Sequence, residues 1–191
     1  MIAAFAAVAC ATMAQASCIN WKIKSGNYIR NESSTNLKTG TAYLFDAATV
    51  AQDVLLNAYA TDKTFDLATF KVEDAGGVKH GAIHNKGVTS GGGLASGNSD
   101  PYGSTGSLYN LYFAVINEKG DLFISEAREY GATAGSEAQP VSFETTAASK
   151  LAAKNAKDGY VGTAWYAVPE PTSGLLLLLG VAGLALRRRR A

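Results

Sequence analysis

The chain has 191 residues, 47% hydrophobic and 17% charged, which leaves room for one packed domain or two and excludes both a disordered polyelectrolyte and a polytopic membrane protein. Gly 20 against Pro 4, with nine Tyr and seven Phe, suits a turn-rich β protein better than a helical bundle. The formal charge of +1 includes Arg187 to Arg190; between Ser17 and Val168 stand 13 basic and 15 acidic side chains, a net of −2, so the body has no basic excess to attract nucleic acid.

Met1 to Ala16 carries no charged side chain and consists mostly of Ala, Val, Phe, Ile and Met. It finishes Ala14-Gln15-Ala16, the small-x-small pattern of a signal-peptidase site, so residues 1–16 read as a secretory signal peptide. Of the two cysteines, Cys10 and Cys18, only Cys18 survives a cut after Ala16, and a single thiol makes no intramolecular disulfide.

The body, 17–167, alternates in short runs. Strands are expected at Asn20–Lys24, Thr41–Phe45, Phe65–Val72, Val78–Ile83, Val141–Phe143 and Gly162–Val168. Asp46 is placed to cap a helix with Val50, Val54 and Ala58 on one stripe. A second helix is expected over Ala147–Lys157, capped by Thr146 and ended by Asp158-Gly159. Leu108–Ile116 and Asp121–Glu126, joined by Asn117-Glu118-Lys119-Gly120, read as a β-hairpin. A four-residue turn sets Val115 against Leu122 and Phe113 against Ile124, with one face solidly apolar and the other half so, as in a central hairpin of a sandwich. The expected fold is mainly β: a single antiparallel sandwich or jelly-roll-like domain with two short helices.

Candidate chemistry is sparse. Gly91-Gly92-Gly93 lacks the Gly-Lys-Ser/Thr and the following helix of a phosphate loop, so Gly87–Gly106 reads as a flexible surface loop. His80 and His84 share one face at even spacing, but Gly81 stands where a zinc protease needs Glu, and the expectation is two solvent-facing histidines. Asn98-Ser99-Asp100 opens like a calcium loop, yet Tyr109 falls where the bidentate acid belongs. His80, His84 and Asp100 are thus weak metal candidates, and no metal or cofactor is expected. The pairs Glu73-Asp74 and Glu126/Glu129 have no separation fixed by sequence. Trp21 and Trp165 offer flat faces for sugar rings but read as core residues first.

The C-terminus is the most specific segment. Val168-Pro169-Glu170-Pro171 is followed by an apolar run to Leu186 and by Arg187-Arg188-Arg189-Arg190. Two prolines one residue apart stop a helix and hold an extended backbone open to a processing enzyme. Thr172 to Leu186 is about 22 Å long as a helix against roughly 30 Å of hydrocarbon, so crossing needs snorkelling arginines or a thinned bilayer. The arginines stay on the cytoplasmic side, which leaves the body outside. This tail resembles the PEP-CTERM sorting signal of outer-membrane bacteria that make exopolysaccharide. The resemblance implies handling by exosortase, a membrane enzyme of the Cys-protease type, with Pro169, Glu170 and Pro171 as recognition residues, 172–186 as a temporary membrane passage and Arg187 to Arg190 as the stop. Signal peptidase and exosortase are then the processing partners, and the destination is the cell surface or matrix. The body reads as structural or binding and not catalytic. An exopolysaccharide-binding module using Trp21 or Trp165, or a small hydrolase using His80 or His84, are the alternatives.

Overall fold

The computed structural model describes residues 16–62, 64–96, 101–104, 106–132, 141–145, 149–152, 162 and 164–167. Among the described residues the fold is mainly β with one short helix, and the strands form several sheets. Its organising element is a nine-residue strand, β8 (Leu108–Ile116), whose consecutive side chains from Leu111 to Val115 are all buried. A strand buried on both faces needs apolar residues at odd and even positions alike, and the run Leu111-Tyr-Phe-Ala-Val115 supplies them.

In chain order the strands before the helix are β1 (Ala16–Cys18), β2 (Trp21–Ile23) and β3 (Thr41–Asp46), followed by helix α1 (Gln52–Thr61). Then come β4 (Lys71–Glu73), β5 (Lys79–Gly81), β6 (His84–Gly87), β7 (Pro101–Ser104) and β8. The last are β9 (Leu122–Ile124), β10 (Arg128–Gly131), β11 (Val141–Phe143), β12 (Ser149–Ala152) and β13 (Ala164–Ala167). The main sheet runs open from β12 through β13, β9, β8 and β3 to β6, and β10 pairs the first half of β8. Three two-stranded pairs, β1–β7, β2–β11 and β4–β5, lie outside it.

Alternation sorts the core into two layers. Ala42, Leu44, Phe113, Val115, Phe123 and Trp165 face one side, where Trp21 and Ile23 of β2 and Val141 and Phe143 of β11 close over them. Phe45, Tyr112, Ala114, Leu122, Ile124 and Tyr166 face the other, covered by Leu55, Leu56 and Tyr59 of α1. One large sheet therefore carries a strand pair on one face and a helix on the other. Phe113 centres the first layer, with ring centroids 5.2 Å from Phe143, 5.8 Å from Phe123 and 6.0 Å from Trp21.

Several expectations need correction. The hairpin forms, but Val115 pairs Phe123 and Ala114 pairs Ile124, one residue away from the expected register. Asn117 donates its backbone N–H to the Asp121 carbonyl and its Oδ1 accepts from the N–H groups of Lys119 and Asp121, so Asn117 and Asp121 close a three-residue loop. Gly120, at φ +83°, takes the left-handed position such a loop requires. The helix begins at Gln52 and not after Asp46, because Asp46 is still paired in β3, opposite Leu111. Its carboxylate accepts the Ala48 N–H and its carbonyl the Val50 N–H, shaping a turn before the helix. The buried stripe is Leu55, Leu56 and Tyr59, while Val54 is exposed.

The expected second helix is overturned by β12, which runs parallel to β13 with Lys150 opposite Trp165 and Leu151 opposite Tyr166. β2–β11 is also parallel, so the fold is not purely antiparallel. Of the strand expected at Phe65–Val72 only its end is extended, as β4, and Phe65 and Phe70 instead pack against the α1 layer. Nor is the whole glycine-rich stretch a bare loop. Gly92, at φ +78°, accepts the Ile29 N–H, and a Cβ there would lie 3.0 Å from Asn36 Cβ, so this glycine is a packing requirement. Among the described residues no helix is long and apolar enough to cross a membrane; the apolar run 174–186 lies outside them.

Phe113→Ala opens a cavity at the meeting point of four aromatic rings and is expected to cost about 3–5 kcal/mol. Urea unfolding would show a lower midpoint at unchanged slope.

Candidate functional site

The end of β13 is where the body meets its tail. Trp165 pairs Phe123 and Tyr166 pairs Leu122 on one side, while β12 pairs the other, so the strand is held on both edges. The Tyr59 hydroxyl, from α1, is shared between the Tyr166 carbonyl at 3.1 Å and the Gly120 carbonyl at 2.5 Å. Ala167 is thus fixed beside the 117–121 turn, and Val168, Pro169, Glu170 and Pro171 follow it directly in sequence. These four, with Arg187, Arg188, Arg189 and Arg190, lie outside the described residues, as does Ala14. Ala16 is the first residue of β1, whose backbone pairs β7 with Ala16 opposite Ser104 and Cys18 opposite Pro101.

The two histidines are separated by the fold. His80, on β5, pairs through Nε2 with Asp74 Oδ2 at 2.8 Å. Asp74 Oδ1 also accepts the N–H groups of Gly76 and Val78, so this carboxylate shapes the β4–β5 turn. The His80 bond, aided by those backbone donors, holds the Asp74 carboxyl below its ordinary range. His84 belongs to β6 in the main sheet and is half-buried, not the open solvent-facing side chain expected. Its Nδ1 accepts the Trp21 indole N–H at 2.8 Å, which fixes Nε2 as the protonated nitrogen of the neutral ring. Different strands of different sheets hold them, because the chain turns at 82–83 between β5 and β6. Among the described residues no three His, Cys, Asp or Glu side chains gather as a metal site, and Asp100 lies outside them.

Both tryptophans are fully buried. Trp165 donates its indole N–H to the Arg30 carbonyl at 2.6 Å, and Trp21 packs against Phe113 and Phe143. Neither offers a face to a sugar.

The sequence reading missed the buried charges. Lys86, on β6, turns inward opposite Ala42 and donates to the Trp21 carbonyl at 2.7 Å, with its ammonium 5.4 Å from the Trp21 ring centre. It has no carboxylate partner among the described residues, and burial pushes its pKa down. Asp46 accepts from the Tyr102 hydroxyl at 3.1 Å; burial, then the nearby carboxylate, pushes that hydroxyl's pKa up and keeps it a donor. Asp121 accepts Lys150 at 3.2 Å beneath the hairpin turn. Only reading 84–87 as a core strand would have signalled Lys86.

The PEP-CTERM protein-sorting motif model matches residues 167–190, so the chain carries this sorting signal. The match begins at Ala167, the last residue of β13. No curated protein and no solved structure matches the chain.

Two measurements check this site. Tryptophan fluorescence of the folded protein should be blue-shifted and poorly quenched by acrylamide, with both properties lost on unfolding. For Lys86 the unfolded chain binds the proton more tightly than the folded one, so rising pH favours folding through this group as it approaches 10.5. The native chain should therefore gain stability relative to Lys86→Met as the pH rises toward 10.5, read from paired urea melts.

Proposed function

We propose that this is an exported protein of the cell surface or extracellular matrix, held at the inner membrane by its C-terminal segment until exosortase acts on it. The carrying observation is the sorting-signal match at 167–190, which abuts a body already paired into a sheet at Ala167. In this reading Ala14 and Ala16 direct signal peptidase. Val168, Pro169, Glu170 and Pro171 present the extended recognition segment, 172–186 occupies the bilayer, and Arg187 to Arg190 hold the end on the cytoplasmic side. The tail is a removable anchor, as in other proteins whose hydrophobic C-terminus is exchanged or lost.

The body serves a structural or binding role. What supports this is the way its distinctive side chains are spent on the fold. Trp21 and Trp165 fill the core, His84 orients the Trp21 indole, and Asp74 builds a turn that His80 steadies.

Replacing both prolines, Pro169→Ala with Pro171→Ala, should leave the chain uncut and retained in the membrane. Immunoblots of membrane and medium fractions check this; equal processing of the native and altered chains would count against the reading.

A further inference from the structure

We infer that the end of the body carrying the 117–121 turn is the face the membrane-embedded sorting protease works against. This rests on the sorting reading above and adds a contact surface to it.

The direction of β13 selects the end. It runs antiparallel to β9, passing Phe123 and then Leu122, and so leaves the sheet at the hairpin turn. Residues 168–173 number six before the apolar run opens at Gly174. Fully extended they reach about 20 Å. Pro169 stands two residues beyond Ala167, which pairs Ala152 and directly follows Tyr166, a residue held on both edges, so this end cannot be drawn out without unpairing the sheet. A protease that grips 168–171 must therefore fit between the bilayer and this end of the body, in contact with it.

The surface there is built for a protein partner better than for lipid. Glu118, Lys119 and Gly120 are exposed. Lys119 pairs with Glu32, and Lys150 bridges Glu32 at 3.5 Å and Asp121 at 3.2 Å. A cleft of about 300 Å³ lies between loop 31–38 and the turn, with Lys38 and Glu118 also on its wall. Three lysines stand against three carboxylates, so no excess positive charge favours anionic headgroups. The opposite end, at Leu108 to Asn110 and Glu129, is about 27 Å away along β8.

Crosslinking in living cells separates the two ends. In a Cys18→Ser background, Lys119→Cys or Glu129→Cys is loaded with a short thiol-reactive photo-crosslinker; both side chains are exposed, so the fold should tolerate the change. An adduct with exosortase is expected from position 119 at least tenfold above that from 129. Inserting twelve Gly/Ser residues between Ala167 and Val168 should abolish the 119 adduct while the tail is still removed. Equal adducts from both positions, no adduct from 119 while cutting proceeds, or a 119 adduct unchanged by the insertion would each overturn the inference. Tail removal that continues in cells lacking exosortase overturns the sorting reading itself, and this surface with it.

Discussion

Everything in the body leans on β8. This one strand pairs β3, β9 and β10 and is apolar on both faces, so it must be covered twice. The β2–β11 pair covers one side and α1 the other. Neither cover is contiguous with β8 in sequence. The N-terminal strand β2 joins the late strand β11 in parallel, and the helix arrives from between β3 and β4. Burial of aromatic area on both faces is therefore the driving term, and the local hydrogen bonds follow from it.

Covering a sheet twice forces polar groups inside; several find partners, while the buried Tyr166 hydroxyl and Arg128 Nε have none among the described residues. Tyr59 and Tyr112 donate their hydroxyls to carbonyls at the ends of the helical layer, and Gln52 donates to the Ser125 carbonyl. These bonds pin α1 onto the sheet at both of its ends. Lys86 is a buried ammonium satisfied by a carbonyl and an aromatic face, with no countercharge among the described residues. Such a group costs stability unless its remaining environment offsets desolvation.

The same architecture sets how body and tail are joined. β13 is an inner strand, held on both edges to Tyr166 and by β12 alone at Ala167, and the sorting signal starts at Ala167. Address and fold are thus contiguous, yet they obey different physics. The tail is specified by a local order of proline, apolar and arginine residues, whereas the body is specified by distant contacts.

That difference explains what was legible. Hydrophobic runs located β3, β8 and β11 nearly residue by residue, and the tail's order alone identified the sorting signal. The hairpin was visible, but its register was not, because the Asn117 side chain and Gly120 choose a three-residue loop over a four-residue turn. Ser149–Ala152 lies in a stretch with good local helix propensity, and a parallel partner 15 residues later in sequence makes it a strand. His84 and Lys86 looked like surface residues because only the arrival of Trp21 from the other end of the chain makes their face interior. The linear chain thus determined its export address and its apolar strands, since both are written in neighbouring residues. Register, parallel pairing and the inward turn of polar groups were decided by tertiary structure, where residues remote in sequence compete to cover the same sheet.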